Sequence, residues 1–252
     1  MKLRYLFWLA ILSICLALIS CPLLISAEDN PITTADELYS KRMNPDNISK
    51  SIDLLKKSMT GNPANYDALW RIARCYWFLG DKATKKEDKL DYFNKGQEYA
   101  KQAINTNHNH IMGHYWLATL IGCTGETRGI LQSLFMVKPM KEELDLCVQI
   151  DSTFADAHNV LAQLFWKAPG PPLSIGNKKR ALDESKLAVT YAPISCEFWL
   201  YYGQIARDNK DYATAREALQ KSISLPDDPE DPQGSQKYKA QAAADLQKLE
   251  GK

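Results

Sequence analysis

Three histidines, His108, His110 and His114, fall within a seven-residue window, and imidazole is a common zinc ligand. No aspartate, glutamate or cysteine stands among them. His108 and His110 occupy a turn between helical segments, and His114 is expected to point into a helix pair. The expectation is an exposed turn with one packed histidine, and no metal site. The carboxylate pairs Glu87-Asp88 and Glu142-Glu143 lie on charged helix faces, where solvation and surface ion pairs are the usual role. The chain has no glycine-rich phosphate loop after a strand, no GxSxG turn and no HExxH. These residues argue against an enzyme and imply no cofactor. Of the six cysteines, Cys75, Cys123, Cys147 and Cys196 lie beyond the N-terminal segment, widely spaced and without a CxxC pair. Cys75 and Cys147 fall at small apolar helical positions, so buried free thiols are expected, with disulfides left open by the even count.

The elements that would position such residues repeat along the chain. From Cys196 to Ser224, Trp199, Tyr202 and Gly203 are followed by Ala206, Ala215, Leu219 and Ser222. A large residue, then a large and a very small one three and four positions later, fits a helix crossed closely by its partner. Ala215 sits on the returning helix where the two backbones meet. The same spacing runs through Leu161 and Ala162 with Ala181, Ser185 and Ala188. It recurs in Leu117 and Ala118 with Leu144 and Cys147, and in Ile72, Ala73 and Tyr76 with Gly96, Ala100 and Ala103. Ser51, Leu55 and Ser58 have only a short helix ahead. Ending signals fall at Pro63, His108, Ser152 and Pro193. The spacing predicts four helix pairs and an abbreviated first pair. Hydrophobic residues at 45% and charged ones at 24% suit a globular chain able to bury a sizeable core. No strand-like alternation of any length occurs.

Local signals set the expected boundaries. Thr34 with Glu37 fits a capping box opening a short helix to about Met43, and Thr84 with Glu87 fits a second. Pro45 suits the first position of the next helix. Gly80-Asp81 is read as ending the third helix, Gly122 to Gly129 as a break, and Ile130 to Val137 as a short extra helix before Pro139. Pro169-Gly170-Pro171-Pro172 is read as a rigid connector. Asp227 to Gln233 is read as a linker before a last amphipathic helix, Tyr238 to Leu249.

Residues 1–27 read as a targeting segment, leaving 28–252 as one domain. Lys2 and Arg4 precede an apolar run from Tyr5 to Ser20, and Ile25-Ser26-Ala27 suits signal-peptidase cleavage. Two alternatives stay open: acylation of Cys21 within Leu18-Ile19-Ser20-Cys21, and an uncleaved anchor. In a bacterial host all three place the domain outside the cytoplasm, as a periplasmic or membrane-anchored protein. Loss of Lys2 and Arg4 takes the formal charge from +1 to −1, which gives no electrostatic case for nucleic acid.

This pattern resembles the tetratricopeptide superfamily, whose unit is a helix–turn–helix of about 34 residues. More narrowly it resembles the exported group containing the T component of TRAP transporters. The features are the run from Asn62-Pro63-Ala64-Asn65-Tyr66-Asp67 to Arg74, the Leu-rich insert before Val137-Lys138-Pro139, the run from Asp151-Ser152-Thr153-Phe154 to His158, and the stretch from Ala168-Pro169-Gly170 to Lys179. His108 and Ser152 stand where the repeat has proline, and His114 and His158 where it prefers a large aromatic. The resemblance implies an all-α, right-handed helical-repeat solenoid with a C-terminal capping helix. It implies a concave groove lined by the first helix of each pair. The superfamily's groove offsets select Trp70, Arg74, Trp77 and Phe78, then Tyr115 and Thr119, then Asn159, Gln163 and Trp166, and last Gln204 and Arg207. Aromatics and arginine dominate binding energetics, and Arg74 and Arg207 could each hold a carboxylate. The implied function is a non-catalytic exported scaffold for a protein or peptide. The alternative is a solute-handling accessory whose partner is a periplasmic solute receptor. A homo-oligomer is left open, and membrane contact is expected only through the N-terminal segment.

Overall fold

The computed structural model describes residues 30–251. Residues 1–27, read above as a targeting segment, and Cys21 within them lie outside the described residues. Among the described residues eleven α-helices follow one another: α1 (Pro31–Ser40), α2 (Pro45–Ser58), α3 (Tyr66–Lys82), α4 (Lys86–Thr106), α5 (Ile111–Arg128), α6 (Ile130–Ile150), α7 (Ala155–Lys167), α8 (Lys178–Tyr191), α9 (Cys196–Asp208), α10 (Tyr212–Ser224) and α11 (Pro232–Gln247). Side chains start many of them. Asn44, Asn65, Asn177, Ser195, Asp211 and Asp231 each accept a backbone N–H of the first turn, leaving fewer orphan donors. Proline stands at the start of α2 and α11, where its missing N–H costs nothing.

The helices pack in pairs, α1/α2 through α9/α10, and each second helix also packs on the first helix of the next pair. α11 closes the array against α9 and α10. First helices touch their counterparts, as in α3 with α5 and α7 with α9. The apolar core runs through the array as successive clusters, from Ile48, Leu55 and Ile72 to Leu200, Leu219 and Leu249.

Small residues stand at the crossings for a steric reason. A Cβ on Gly96 would lie 2.9 Å from Leu120 and 3.3 Å from the Ala73 carbonyl. One on Gly203 would lie 2.7 Å from Leu219 and 3.3 Å from the Ala215 carbonyl. Gly203→Leu is therefore expected to overpack the α9/α10 contact and cost about 1–3 kcal/mol or more. A chemical-denaturation midpoint unchanged from wild type would show that this crossing is not close.

Several expected boundaries are corrected. α1 begins at Pro31 and ends at Ser40, so Thr34 lies inside it and is not a cap. α4 is preceded by Lys85, which makes no side-chain cap bond, so Thr84 caps nothing; the charged insert does extend that helix. Gly80 is interior to α3, where a side chain would run into the Phe93 ring of α4. Gly122 and Gly125 do not break the chain: α5 passes through both. A Cβ at Gly125 would meet Ser133 and Met136 at 3.2 Å, so these glycines let α6 lie close. Only Gly129, with φ of 109°, turns the chain. The expected short helix before Pro139 is the start of a single helix α6 that carries Pro139 in its interior. α11 begins at Pro232, inside the expected linker.

All four described cysteines are free thiols, with Cys75, Cys147 and Cys196 buried. Burial pushes the Cys75 thiol up to about 11 and those of Cys123 and Cys147 up to about 12, which makes them poor nucleophiles. Among the described residues no helix is long and apolar enough to cross a membrane.

Candidate functional site

At the N-terminal end, the groove positions of α3 are occupied by the chain itself. Trp70 is only 8% exposed, packed with Leu69, Phe93 and Leu117. Phe78 is buried edge-on to Tyr39 of α1, and Trp77 is half-buried with its ring 5.6 Å from that of Trp116. Arg74 donates to Asp36 of α1 at 2.6 Å, and its guanidinium lies over the Tyr39 ring at 3.8 Å. Arg71 adds hydrogen bonds to the same carboxylate at 2.9 and 3.0 Å. Arg74 thus holds a carboxylate, as its chemistry suggests, but the carboxylate is internal.

The C-terminal end is closed in the same way. Gln204 donates to Asp245 of α11 at 2.7 Å, and Arg207 donates to Asp245 at 3.0 Å. Burial would raise the Asp245 carboxyl, but hydrogen bonds from Lys248 and Gln204 and the charge of Arg207 win and lower it. Asp208 accepts from Arg207 and from the half-buried Trp166 indole, both at 3.0 Å.

Between these latches lies a different surface. Tyr115 and Thr119 on α5, Asp156, Asn159 and Gln163 on α7, and Glu197 and Tyr201 on α9 come from three successive first helices, with Tyr238 reaching in from α11. The Tyr115 ring stands edge-on to Phe154 at 5.3 Å. Burial raises the Asp156 carboxyl. Burial and then the nearby negative charge of Asp156 push Glu197 up to about 7, against hydrogen bonds from Tyr238 and Asn159. Asn159 is 4% exposed, and its Oδ1 accepts no hydrogen bond among the described residues.

Asp156, Glu197, Tyr201 and Tyr238 are not among the residues that the sequence offsets select. A signal exists for the two acids. Each stands six residues before the small crossing residue of its pair, Ala162 or Gly203, an offset shared by Asp67 before Ala73.

The histidines are structural clips. His114 is 1% exposed; Nδ1 lies 2.6 Å from Glu143 of α6 and Nε2 lies 2.9 Å from the His108 carbonyl. His158 repeats this with Glu184 of α8 at 2.7 Å and the Ser152 carbonyl at 2.9 Å. Both ring nitrogens face acceptors, an arrangement that favours imidazolium. Burial would lower each pKa, but the carboxylate and the carbonyl outweigh it and raise both. Two repeats thus replace the usual large aromatic by a charged hydrogen-bonded plug. His110 packs against Tyr66, whose hydroxyl lies 2.8 Å from its Nδ1.

A separate surface depression of about 370 Å³ lies among α8, α9 and α10, lined by Lys186, Val189, Trp199 and Tyr202, and contains none of the groove positions. Ile130, Leu131 and Phe135 protrude from the first turns of α6, 84%, 70% and 78% exposed.

Paired helices stacked through small crossing residues and closed by a terminal helix define a tetratricopeptide-like helical-repeat array. A thermophilic TPR protein from Thermus thermophilus, TTC0263, superposes with a TM-score of 0.66 over 88% of this chain and 100% of that one, at 15% identity. Residues 41-end of MamA from Desulfovibrio magneticus RS-1 superpose at 0.50 over 78% and 95%, at 14% identity. At such identity the likeness concerns the fold alone. The chain belongs to the regulator of microtubule dynamics protein 1-3 family, whose model matches residues 32–167. It is 28% identical over 158 residues to regulator of microtubule dynamics protein 3 of Rattus norvegicus, covering 62% of this chain and 33% of that protein. It is 25% identical over 134 residues to regulator of microtubule dynamics protein 2 of Homo sapiens, covering 48% and 33%. The chain thus matches about a third of the length of these relatives. The matched family is not the TRAP T-component group, so that resemblance supports only the helical-repeat fold.

Proposed function

We propose that the chain is a non-catalytic scaffold that grips an extended segment of a protein partner in its concave groove. The observation that carries this is the division of the groove. Its two ends are filled by the chain's own α1 and α11, while its middle presents the partly exposed Tyr115, Gln163 and Tyr201 from three successive first helices. Such a surface is continuous along the array, which suits an extended chain. The solute-handling alternative calls for an enclosed apolar cavity, whereas carboxylates and tyrosines line this middle. The relatives are named for regulating microtubule dynamics; what we carry over is the scaffold, since the match covers a third of their length. Export through residues 1–27 remains part of the proposal, with lipidation of Cys21 and an uncleaved anchor as the alternatives that an intact mass separates.

Photo-crosslinking tests the groove. A benzophenone amino acid in place of Gln163 is expected to yield polypeptide adducts in cells. The same group at exposed Asp183 on α8 is expected to yield none. Adducts from Asp183 alone, or none from either position, would contradict the proposal.

A further inference from the structure

We propose that the middle of the groove receives a cationic side chain, a guanidinium or an ammonium group, carried on the extended segment of the protein partner. This rests on the groove reading and adds the chemistry of what enters. Asp156 and Glu197 are half-buried on adjacent first helices and close enough for the charge of one to oppose ionisation of the other. Among the described residues neither forms an ion pair with a lysine, arginine or histidine. In contrast, Asp36, Glu143, Glu184, Asp208 and Asp245 all do.

An independent observation points the same way. Asn159 is buried one turn after Asp156 on α7, near enough to Glu197 to favour its ionisation, and its Oδ1 is left without a donor among the described residues. An amide oxygen and ionised carboxylates only accept hydrogen bonds. What completes them is a group with several N–H donors and a positive charge. Guanidinium suits best, because its planar fork can reach two acceptors at once. Half-buried Tyr201 and Tyr238 stand near Glu197 and add aromatic rings, a group type that attracts cations. An anion is opposed by both carboxylates. A metal ion lacks ligands: among the described residues no group of three His, Cys, Asp or Glu could hold one.

The test titrates the full chain with the blocked peptide acetyl-Gly-Gly-Arg-Arg-Gly-Gly-amide and with its citrulline counterpart, isosteric but uncharged. The arginine peptide is expected to bind about tenfold or more tightly than the citrulline peptide, a difference of about 1.4 kcal/mol. Asp156→Asn and Glu197→Gln, which keep size and remove charge, are expected to weaken arginine-peptide binding by a similar factor while leaving the fold at least as heat-stable at neutral pH. Equal binding of the two peptides, no binding of either, or unaltered binding by both variants overturns the proposal. The crosslink at Gln163 separates this from failure of the groove reading: adducts that persist undiminished in Glu197→Gln sink the cation site alone, and loss of all adducts from the wild type sinks both.

Discussion

Trp70→Ala is expected to destabilise the protein by about 3–5 kcal/mol, the range for removing a large aromatic from a core. Trp70 packs among Leu69, Ala73, Phe93 and Leu117. It also supports the N-terminal latch: the guanidinium groups of Arg71 and Arg74 lie 4.1 and 5.2 Å from its ring centre, and both reach Asp36. Its loss therefore opens a cavity and loosens α1 together. Trp166 is also a groove position but is half-buried, with one hydrogen bond to Asp208. Trp166→Ala should cost only about 1–2 kcal/mol. Urea unfolding of the two variants checks the contrast. Equal losses would mean that the two tryptophans share one environment.

His114→Ala is expected to cost about 2–3 kcal/mol. Breaking a buried ion pair typically costs about 3–5 kcal/mol, and Glu143, 23% exposed, recovers part of this by solvation. His158→Ala should cost less, because Arg180 lies 4.0 Å from Glu184 and can take over as counter-charge. The two imidazoles have pKa values raised above the unfolded value, so they favour the folded state fully below about pH 6.5, and this contribution is lost as pH rises through the folded value. Glu197, raised to about 7, acts in the same direction. Its contribution is complete below the unfolded carboxyl value of about 4.3 and is lost as pH rises through about 7. Melting temperatures measured at about pH 5.5 and about pH 8.5 should therefore fall with rising pH. His114→Ala should shrink that fall. A variant with the wild-type pH profile would show that His114 does not change its protonation between these pH values.

What is legible in the chain alone is its steric grammar. Gly96 and Gly203 mark helix crossings because nothing larger fits there, and Ala162 and Ala181 are fully buried at two equivalent positions; that constraint is local enough to show as spacing. Gly122 and Gly125 obey the same constraint, yet in sequence they look like a break. Glycine signals both a turn and a close approach, and only the position of Met136 and Ser133 on α6 decides between them. Pro139 misleads for a similar reason, since the packing of α6 along α5 holds a helix that proline alone would interrupt. For the groove, the offsets lead to the right helices, but which donors stay available depends on α1 and α11. The partners of Arg74 and Arg207 lie 38 residues away in each case. The same distance problem hides Glu197, whose character comes from Asp156 and Tyr238 on other helices.

The middle of the concave face is where the partner is expected to lie. Hydrogen–deuterium exchange of the full chain, free and bound to the polypeptide captured through Gln163, tests this most directly. Binding is expected to slow exchange in α5, α7 and α9, with α2, α4 and α8 unchanged. Protection concentrated in α2, α4 and α8, with α5, α7 and α9 exchanging as in the free protein, would contradict it.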